Sequence, residues 1–209
     1  QIMTRSIDAE VVSFDLFDTL VLRPFLTPAG SRAYLEHRVM ARFGLPGFAK
    51  LRERAETWAR SRAGTDVALA VIYRTLGGFP EARDIDLTAV QQAALDFERE
   101  QLRARPALSE CALRIARERT HTVVGVSDMY LDESTLRQVL PATVNEALQR
   151  IYVSCDTGWR KDTGDAWREL PRTLGKPPAS WLHVGDNEHS DKQLPHDAGF
   201  VPPVHLLRP

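Results

Sequence analysis

The feature of this 209-residue sequence that most restricts its fold is a short, β-rich apolar run that ends at polar side chains. Such a run occurs four times, at residues 11–14, 122–126, 151–154 and 181–184. Runs of this kind are typical of strands that are buried on both faces of a parallel sheet. Helical periodicity separates the last three runs, and strands that alternate with helices are joined by right-handed crossovers. The sequence therefore predicts an α/β fold, with a Rossmann-like parallel sheet that carries helices on both faces.

The segment between the first and second runs differs from the rest because it contains no strand signal. Ala-, Arg-, Glu- and Leu-rich stretches predict helices there over residues 31–43, 50–62, 66–76 and 88–105. Prolines mark the entry and the exit of this segment, as expected where helices begin or stop. We predict a helical cap subdomain over residues 23–105, inserted into an α/β core domain formed by residues 1–22 and 106–209.

The predicted cap is basic, whereas the remainder of the chain is acidic. Residues 23–105 contain 14 Lys and Arg against 10 Asp and Glu, a net charge of +4, and the remainder carries −5. A basic cap over an acidic sheet suits an anionic substrate that lies above a metal ion. The plainer interpretation is a solvated helical surface with a slight excess of arginine. Candidates to face a cleft are Arg32, Arg52, Arg60 and Arg62.

Composition excludes several classes of partner and compartment. The net charge is −1, and no stretch approaches the roughly 18 uninterrupted apolar residues of a membrane span, so we expect neither a nucleic-acid nor a membrane partner. Cys111 and Cys155 lack CxxC spacing, and no signal-peptide pattern opens the chain, which favours a cytoplasmic location. The chain begins with Gln1, which is consistent with flanking domains in a longer polypeptide.

Polar side chains follow each predicted strand at the end where parallel sheets bind ligands. Asp15 follows the first run, Ser127 the second and Lys161 the third, and Asp186 and Asp191 follow the fourth. Each has a plainer interpretation as a turn residue, a helix cap or a surface residue. Hard oxygen donors favour Mg²⁺ over Zn²⁺, and no His-x-x-x-His or Cys/His spacing competes for a softer metal.

The four groups, taken together and in this order, resemble the haloacid dehalogenase-like hydrolase superfamily over essentially the whole chain. The segments that carry the resemblance are Ser-Phe-Asp-Leu-Phe-Asp-Thr-Leu at 13–20, Ser-Asp-Met-Tyr-Leu at 127–131, Arg-Lys-Asp-Thr-Gly at 160–164 and His-Val-Gly-Asp-Asn at 183–187. The sequences of these four segments are most similar to those of a branch of bacterial hydrolases associated with cell-surface polysaccharide synthesis. The resemblance implies a Mg²⁺-dependent phosphohydrolase that acts on a small phosphorylated metabolite, and the family association points to a sugar phosphate.

The resemblance also implies roles for individual residues. Asp15 would be the nucleophile that forms an aspartyl intermediate, and Thr19 would support its loop by hydrogen bonding. Ser127 would bind the transferred phosphoryl group, and Lys161 would screen the charge between that group and Asp15. An exposed lysine contributes little to stability, so substitution of Lys161 is expected to cost activity and not the fold.

The implied metal is Mg²⁺. Asp15, Asp186 and the backbone carbonyl of Phe17 would hold it, and Asp191 would help directly or through water. The cation and the lysine together would remove the repulsion between an anionic carboxylate and an anionic phosphate.

One position departs from the phosphatase pattern. Phosphatases of the superfamily usually have a second Asp two residues after the nucleophile, as general acid and base, and this chain has Phe17 there. Asp18 is one residue further on, and in extended backbone it would point to the opposite face. An aromatic residue at this place also occurs in metal-independent dehalogenases, although those typically lack the Gly185-Asp186 pair. A catalytically weak module that binds a phosphorylated ligand is the other alternative, and phosphonate cleavage through Lys50 is the weakest.

Overall fold

The computed structural model describes residues 2–24, 28–118 and 120–207. The strands are β1 (Val11–Phe14), β2 (Val21–Leu22), β3 (Arg103–Ala104), β4 (Thr122–Ser127), β5 (Arg150–Val153), β6 (Trp181–Gly185) and β7 (Val201–His205). The helices are α1 (Ile2–Ser6), α2 (Pro28–Phe43), α3 (Phe48–Ala63), α4 (Leu69–Leu76), α5 (Leu87–Gln101), α6 (Pro106–Arg117), α7 (Glu133–Val139), α8 (Ala142–Ala147), α9 (Ser154–Thr157), α10 (Asp165–Leu174) and α11 (Leu194–Asp197). Within the described residues, no helix combines the length and apolar character that a membrane crossing requires.

Five strands form one parallel sheet in the order β5–β4–β1–β6–β7. Successive strand residues enter two different apolar cores, because side chains alternate between the faces of a sheet. Val11 packs in the core that contains Trp167 of α10, whereas Val12 packs in the core that contains Ile115 of α6 and Val144 of α8. The strands are therefore apolar throughout because helices cover both faces, and the predicted α/β fold is confirmed.

Helices α2 to α5 lie between the short strands β2 and β3. These strands pair antiparallel, with Val21 opposite Ala104 and Leu22 opposite Arg103. The expectation that residues 23–105 contain no strand is therefore wrong for β3, because a strand of two residues is too short to produce a periodic signal. The helix bounds follow the predicted stretches closely, and Asp86 caps the start of α5 by accepting a 3.0 Å hydrogen bond from the Ala89 amide.

The sheet also contains a strand that sequence periodicity did not predict. β7 runs through Pro202 and Pro203, residues that normally argue against a strand. An edge strand tolerates proline where the missing N–H would face away from its neighbour, and β7 pairs only with β6.

The segment that connects α3 to α4 is hydrogen-bonded to the loops that follow β4 and β5. The Ser154 hydroxyl donates a 2.6 Å hydrogen bond to Asp66, and the Leu69 amide donates a 2.7 Å bond to the Tyr130 carbonyl. The Thr65 hydroxyl adds a 3.3 Å bond to the Gly158 carbonyl. These contacts hold the helices α2 to α5 over the carboxyl ends of β4 and β5, where ligands bind in parallel sheets.

Candidate active site

The carboxyl ends of β4, β1 and β6 lie side by side in the middle of the sheet. Phe14, the last residue of β1, is in register with Gly125 of β4 and with Val184 of β6. Asp15 continues β1 by one residue, and its amide donates a 2.9 Å hydrogen bond to the Val184 carbonyl. The sheet therefore brings together residues that are more than 100 positions apart in the sequence.

Three carboxylates and one ammonium group meet at this edge of the sheet. Oxygen atoms of Asp15, Asp186 and Asp191 lie within 4.8 Å of one another, and all three residues are buried. Lys161 Nζ donates a 2.6 Å hydrogen bond to Asp15 Oδ1 and a 2.7 Å bond to Asp191 Oδ1. Lys161 is only 5% exposed, so the expectation of an exposed lysine is wrong. We call these four residues the carboxylate cluster.

Burial and neighbouring charges shift the pKa values of Asp15, Asp191 and Lys161 in different directions. Burial raises the pKa of Asp15 to about 7, although Lys161 opposes the shift. Burial also disfavours the charged form of Asp191, but Lys161 and His183 outweigh it and hold the pKa of Asp191 below its usual range. The two carboxylates raise the pKa of Lys161 above its usual range, against the effect of burial. Of Asp15 and Asp191, Asp15 is therefore the carboxylate that takes up a proton more readily.

A tight turn after β6 presents Asp191 to the cluster. A side chain at Gly185 would place its Cβ 2.5 Å from the Cβ and Cγ atoms of Asp191, so only glycine fits. Asn187 begins the turn by accepting hydrogen bonds from the amides of His189 and Ser190, at 3.0 and 2.9 Å. Its own amide donates a 3.1 Å bond to Asp191 Oδ2. The π-helical turn Glu188–Gln193 follows and keeps the Asp191 carboxylate buried.

His183 and Ser13 form a buried polar pair behind Asp191. His183 is fully buried, its Nδ1 lies 2.8 Å from Ser13 Oγ, and its Nε2 lies 3.4 Å from Asp191 Oδ1. Burial lowers the pKa of His183, which keeps the ring neutral. The alternative acceptor for the Ser13 hydroxyl, the Leu182 carbonyl, is farther away at 3.3 Å. A hydroxyl that donates to Nδ1 leaves Nε2–H to face the Asp191 carboxylate.

The sequence analysis assigned no role to Ser13 or His183. The available signal was two polar residues within apolar strands, and the register of β1 with β6 places them opposite each other.

The loops after β4 and β5 are tied together by a residue that sequence reasoning passed over. Both carboxylate oxygens of Asp128 accept hydrogen bonds from the Lys161 amide, each at 2.9 Å. This bond fixes the backbone of Lys161 against the end of β4. Ser127, the residue before Asp128, is 3% exposed and ends β4 beside β1.

The loop after Asp15 departs from expectation at Thr19. The Thr19 side chain is fully buried, but its hydroxyl has no hydrogen-bond partner within the described residues. The expected hydrogen-bonding support is therefore wrong, because the backbone already satisfies the loop: the Leu20 and Val21 amides donate to the Leu16 carbonyl.

Phe17 and Asp18 lie outside the carboxylate cluster. Asp18 is exposed and adopts a positive φ of 63°, and its amide donates to the Val21 carbonyl. Its carboxylate is not among the three that converge. The Phe17 ring is half-buried, and the Arg23 guanidinium carbon lies 4.2 Å from its centre. The place of the usual general acid is thus occupied by an aromatic ring under an arginine.

A cavity of about 440 Å³ lies between the helices α2 to α5 and the loops after the strands, and the described residues that line it include none of the four cluster residues. Its lining includes Phe17, Asp128 and Asp162, which neighbour the predicted site residues in sequence. Five arginines also line it: Arg23, Arg32, Arg52, Arg60 and Arg160. Three of the four arginines named from the sequence are among them, whereas Arg62 lies elsewhere, stacked on Trp58 at 5.3 Å.

Known structures share this fold. A 2-haloacid dehalogenase from Pseudomonas syringae pv. Tomato is 19% identical, covers 92% of this chain and 84% of its own, and superposes with a TM-score of 0.64. The L-2-haloacid dehalogenase from Xanthobacter autotrophicus is 19% identical over 92% of this chain and 75% of its own, with a TM-score of 0.56. A protein described as a predicted phosphoglycolate phosphatase from Haemophilus somnus is 15% identical over 96% and 90%, with a TM-score of 0.55.

At these identities the comparisons show the fold alone, which is that of the haloacid dehalogenase-like hydrolases. Both dehalogenases and a phosphatase appear among the neighbours, so the fold does not select between the two chemistries. No family model and no curated protein matches the sequence.

Proposed function

We propose that this chain is a Mg²⁺-dependent phosphohydrolase that acts on a small phosphorylated metabolite through an aspartyl-phosphate intermediate on Asp15. The observation that carries the proposal is the convergence of three buried carboxylates. Their oxygen atoms lie within 4.8 Å of one another, and Lys161 donates to two of them, Asp15 and Asp191. Buried carboxylates this close together favour a bound cation, because a cation offsets their mutual repulsion in a low dielectric. Residues 23–105 act as the cap domain in this proposal.

The donor set fits Mg²⁺. The oxygens of Asp15, Asp186 and Asp191 are hard donors, close enough together to share one ion, and the Phe17 carbonyl is the further proposed ligand. When bound, the ion would neutralise charge on Asp15 and on the phosphoryl oxygens. The Gly185-Asp186 pair, which metal-independent dehalogenases typically lack, is why we favour phosphoryl transfer.

The residues of the chain supply the remaining steps. An Asp15 carboxylate oxygen attacks phosphorus, and the bond between phosphorus and the leaving oxygen breaks. Lys161, 2.6 Å from Asp15, stays protonated and reduces repulsion between carboxylate and phosphate, while the Ser127 hydroxyl donates to a phosphoryl oxygen. Because Phe17 has no proton to give, the leaving oxygen takes its proton from solvent. Water then attacks the phosphorus of the intermediate, loses a proton to solvent, and releases phosphate with restoration of the Asp15 carboxylate.

The second candidate is a metal-independent, dehalogenase-type hydrolase. Phe17 favours it, because carbon-centred displacement by Asp15 needs no general acid at that place. The third candidate, a catalytically weak module that binds a phosphorylated ligand, rests on the same residue. For the first candidate we propose a sugar phosphate as substrate, because the sequence resembles a branch of hydrolases associated with polysaccharide synthesis.

The test is phosphate release from p-nitrophenyl phosphate with Mg²⁺ and with a chelator. We expect activity that requires Mg²⁺ and falls by at least about 10³-fold in Asp15→Asn. Asp18→Asn is the matched control, because that carboxylate is exposed, three residues away and outside the cluster. Activity that survives Asp15→Asn would refute the nucleophile, and halide release from a 2-haloacid in chelator would establish the dehalogenase. If nothing turns over but Mg²⁺ and a phosphate analogue raise the melting temperature, the binding module is correct.

A further inference from the structure

The cavity beside the carboxylate cluster is lined by as many carboxylates as arginines. Its five arginines face five acidic residues, namely Glu56, Asp66, Glu98, Asp128 and Asp162. The predicted cap has an excess of positive charge, but that excess is not concentrated in the cavity. Which arginines are free to meet a ligand therefore depends on how the pairs are arranged.

The guanidinium group of Arg23 is in contact with neighbouring side chains at both its edge and its face. Its Nε and Nη2 atoms each donate a 3.2 Å hydrogen bond to Glu98 Oε2. The face of its guanidinium lies 4.2 Å from the centre of the Phe17 ring. Both members of the ion pair are mostly buried, at 25% and 14% side-chain exposure. A ligand anion would have to displace Glu98 to reach this guanidinium.

Arg52 repeats the same arrangement deeper in the cavity. Its Nη1 donates a 3.2 Å hydrogen bond to Glu56, and its guanidinium carbon lies 4.4 Å from the centre of the Tyr130 ring. Side-chain exposure is 11% for Arg52 and 21% for Glu56. The pair is therefore shielded from water, and an unpaired Glu56 left behind would be costly.

The remaining paired charges form a network around Asp66. Arg60 Nη2 lies 2.6 Å from Asp66 Oδ1, and the Ser154 hydroxyl donates to Oδ2. Arg160 pairs with Asp162 and approaches Asp66 at 4.0 Å. Arg32 alone has no ion pair within the described part of the chain. It is exposed, so water and salt screen its charge.

From this pairing we infer the substrate class of the site, an inference that rests on the proposed function. The substrate carries a single phosphoryl group on an uncharged, hydroxyl-bearing body, and the cavity discriminates against a second anionic group. A second anion gains little from guanidinium groups that already hold carboxylates, and it is repelled by those carboxylates. Hydroxyl groups meet no such conflict, because paired carboxylates and guanidinium groups keep spare acceptor and donor positions. The cavity volume is within the range of small-molecule sites.

The test compares sorbitol 6-phosphate with gluconate 6-phosphate, which share a carbon chain and differ at C1 by a hydroxymethyl group against a carboxylate. We expect kcat/KM to favour sorbitol 6-phosphate by at least about tenfold, or 1.4 kcal/mol. Glu98→Gln removes one negative charge at nearly constant shape and leaves Arg23 without its carboxylate. It should therefore reduce that preference at least about threefold. Glu81→Gln is the matched control, because Glu81 pairs with Arg54 on the exposed surface and does not line the cavity.

The possible results of this comparison separate the inference from the proposed function. A parent enzyme that prefers gluconate 6-phosphate, or does not distinguish the two esters, overturns the inference. A preference that Glu98→Gln leaves unchanged, in a variant that melts like the parent, overturns the role of the Arg23–Glu98 pair. Turnover of p-nitrophenyl phosphate without turnover of either ester overturns the hydroxyl-bearing class and leaves the proposed function standing. No turnover of any phosphate ester overturns the proposed function itself.

Discussion

Charged side chains gather in two adjoining regions of this molecule, and the two regions compensate their charge differently. In the carboxylate cluster, Asp15, Asp186 and Asp191 converge, and Lys161 donates to two of them, Asp15 and Asp191. In the cavity, arginines and carboxylates are equal in number, and the best buried arginines each hold a carboxylate within 3.2 Å. The first region thus concentrates carboxylates, whereas the second contains equal numbers of cationic and anionic side chains among the described residues.

This difference separates two functions that a count of charges along the sequence would merge. A buried region with excess negative charge binds a cation, and with it the phosphoryl group that the cation attracts. A balanced region attracts no ion strongly, but it can still exclude ligands that upset its pairs. The chemistry and the specificity of the site are therefore assigned to different groups of residues, which substitutions can test separately.

The largest effect is expected from Lys161→Ala. The substitution leaves two neighbouring carboxylates, Asp15 and Asp191, buried without their shared cation. Breaking a buried pair in this way typically costs about 3–5 kcal/mol, so we expect the free energy of unfolding to fall by that amount in the absence of Mg²⁺. Turnover should fall steeply as well. Denaturant unfolding followed by circular dichroism measures the loss of stability.

The control for this prediction is Lys176→Ala. Lys176 also pairs with a carboxylate, Glu10, but both side chains are exposed, at 40% and 52%. Exposed pairs contribute about 0–1 kcal/mol, so this variant should unfold like the parent. Equal stability of the two variants would show that Lys161 is not needed to balance the cluster.

The next effect is stabilisation by Mg²⁺. At a free concentration of about 100 times its Kd, a ligand that binds only the folded state adds about 2.7 kcal/mol to the free energy of unfolding. For a chain of this length we expect the melting temperature to rise by roughly 5–10 °C. Asp186→Asn should remove most of that rise, whereas Asp197→Asn, at an exposed residue, should leave it intact. A parent protein indifferent to Mg²⁺ would contradict the metal site.

The sequence predicted the carboxylate cluster better than the cavity because the two depend on different signals. Asp15 and Asp186 each follow a buried strand, and in a parallel sheet all strand ends of one polarity meet at one edge. The order of strands then brings them together without further information. Lys161 was expected at the same edge, and it lies 2.6 Å from Asp15, but its burial follows from two carboxylates contributed by other loops, which no local pattern reveals.

The residues that the sequence did not reveal depend on contacts between distant segments. Ser13 becomes a partner of His183 only because β1 lies beside β6. Likewise, helical periodicity cannot tell which arginines of the inserted helices face the sheet. Arg23 precedes those helices, and its pairing with Glu98 depends on how α5 returns toward the sheet.

The smallest effect is expected at Phe17, which lines the cavity and follows Asp15 of the carboxylate cluster by two residues. Phe17→Asp would add the carboxyl group that could protonate a leaving oxygen. General acid catalysis typically contributes about 10²- to 10⁴-fold to a rate. The Arg23 guanidinium carbon, however, lies 4.2 Å from the centre of the ring that the new aspartate would replace, so Arg23 would favour the ionised form of that aspartate. We therefore expect kcat to rise only about tenfold, or 1.4 kcal/mol.

The gain from Phe17→Asp should depend on the leaving group. An alkyl phosphate such as sorbitol 6-phosphate releases an alkoxide that needs a proton, whereas p-nitrophenolate leaves without one, so the rise in kcat should be larger for the alkyl ester. Phe17→Asn introduces a side chain of the same shape as aspartate but without an acidic proton, so it should produce no rise in kcat. Adding Arg23→Gln to Phe17→Asp should increase the gain, because the new carboxyl group then keeps its proton more readily. An equal gain from Asn and Asp would show that the aromatic ring obstructs the site and that the missing acid does not limit the rate.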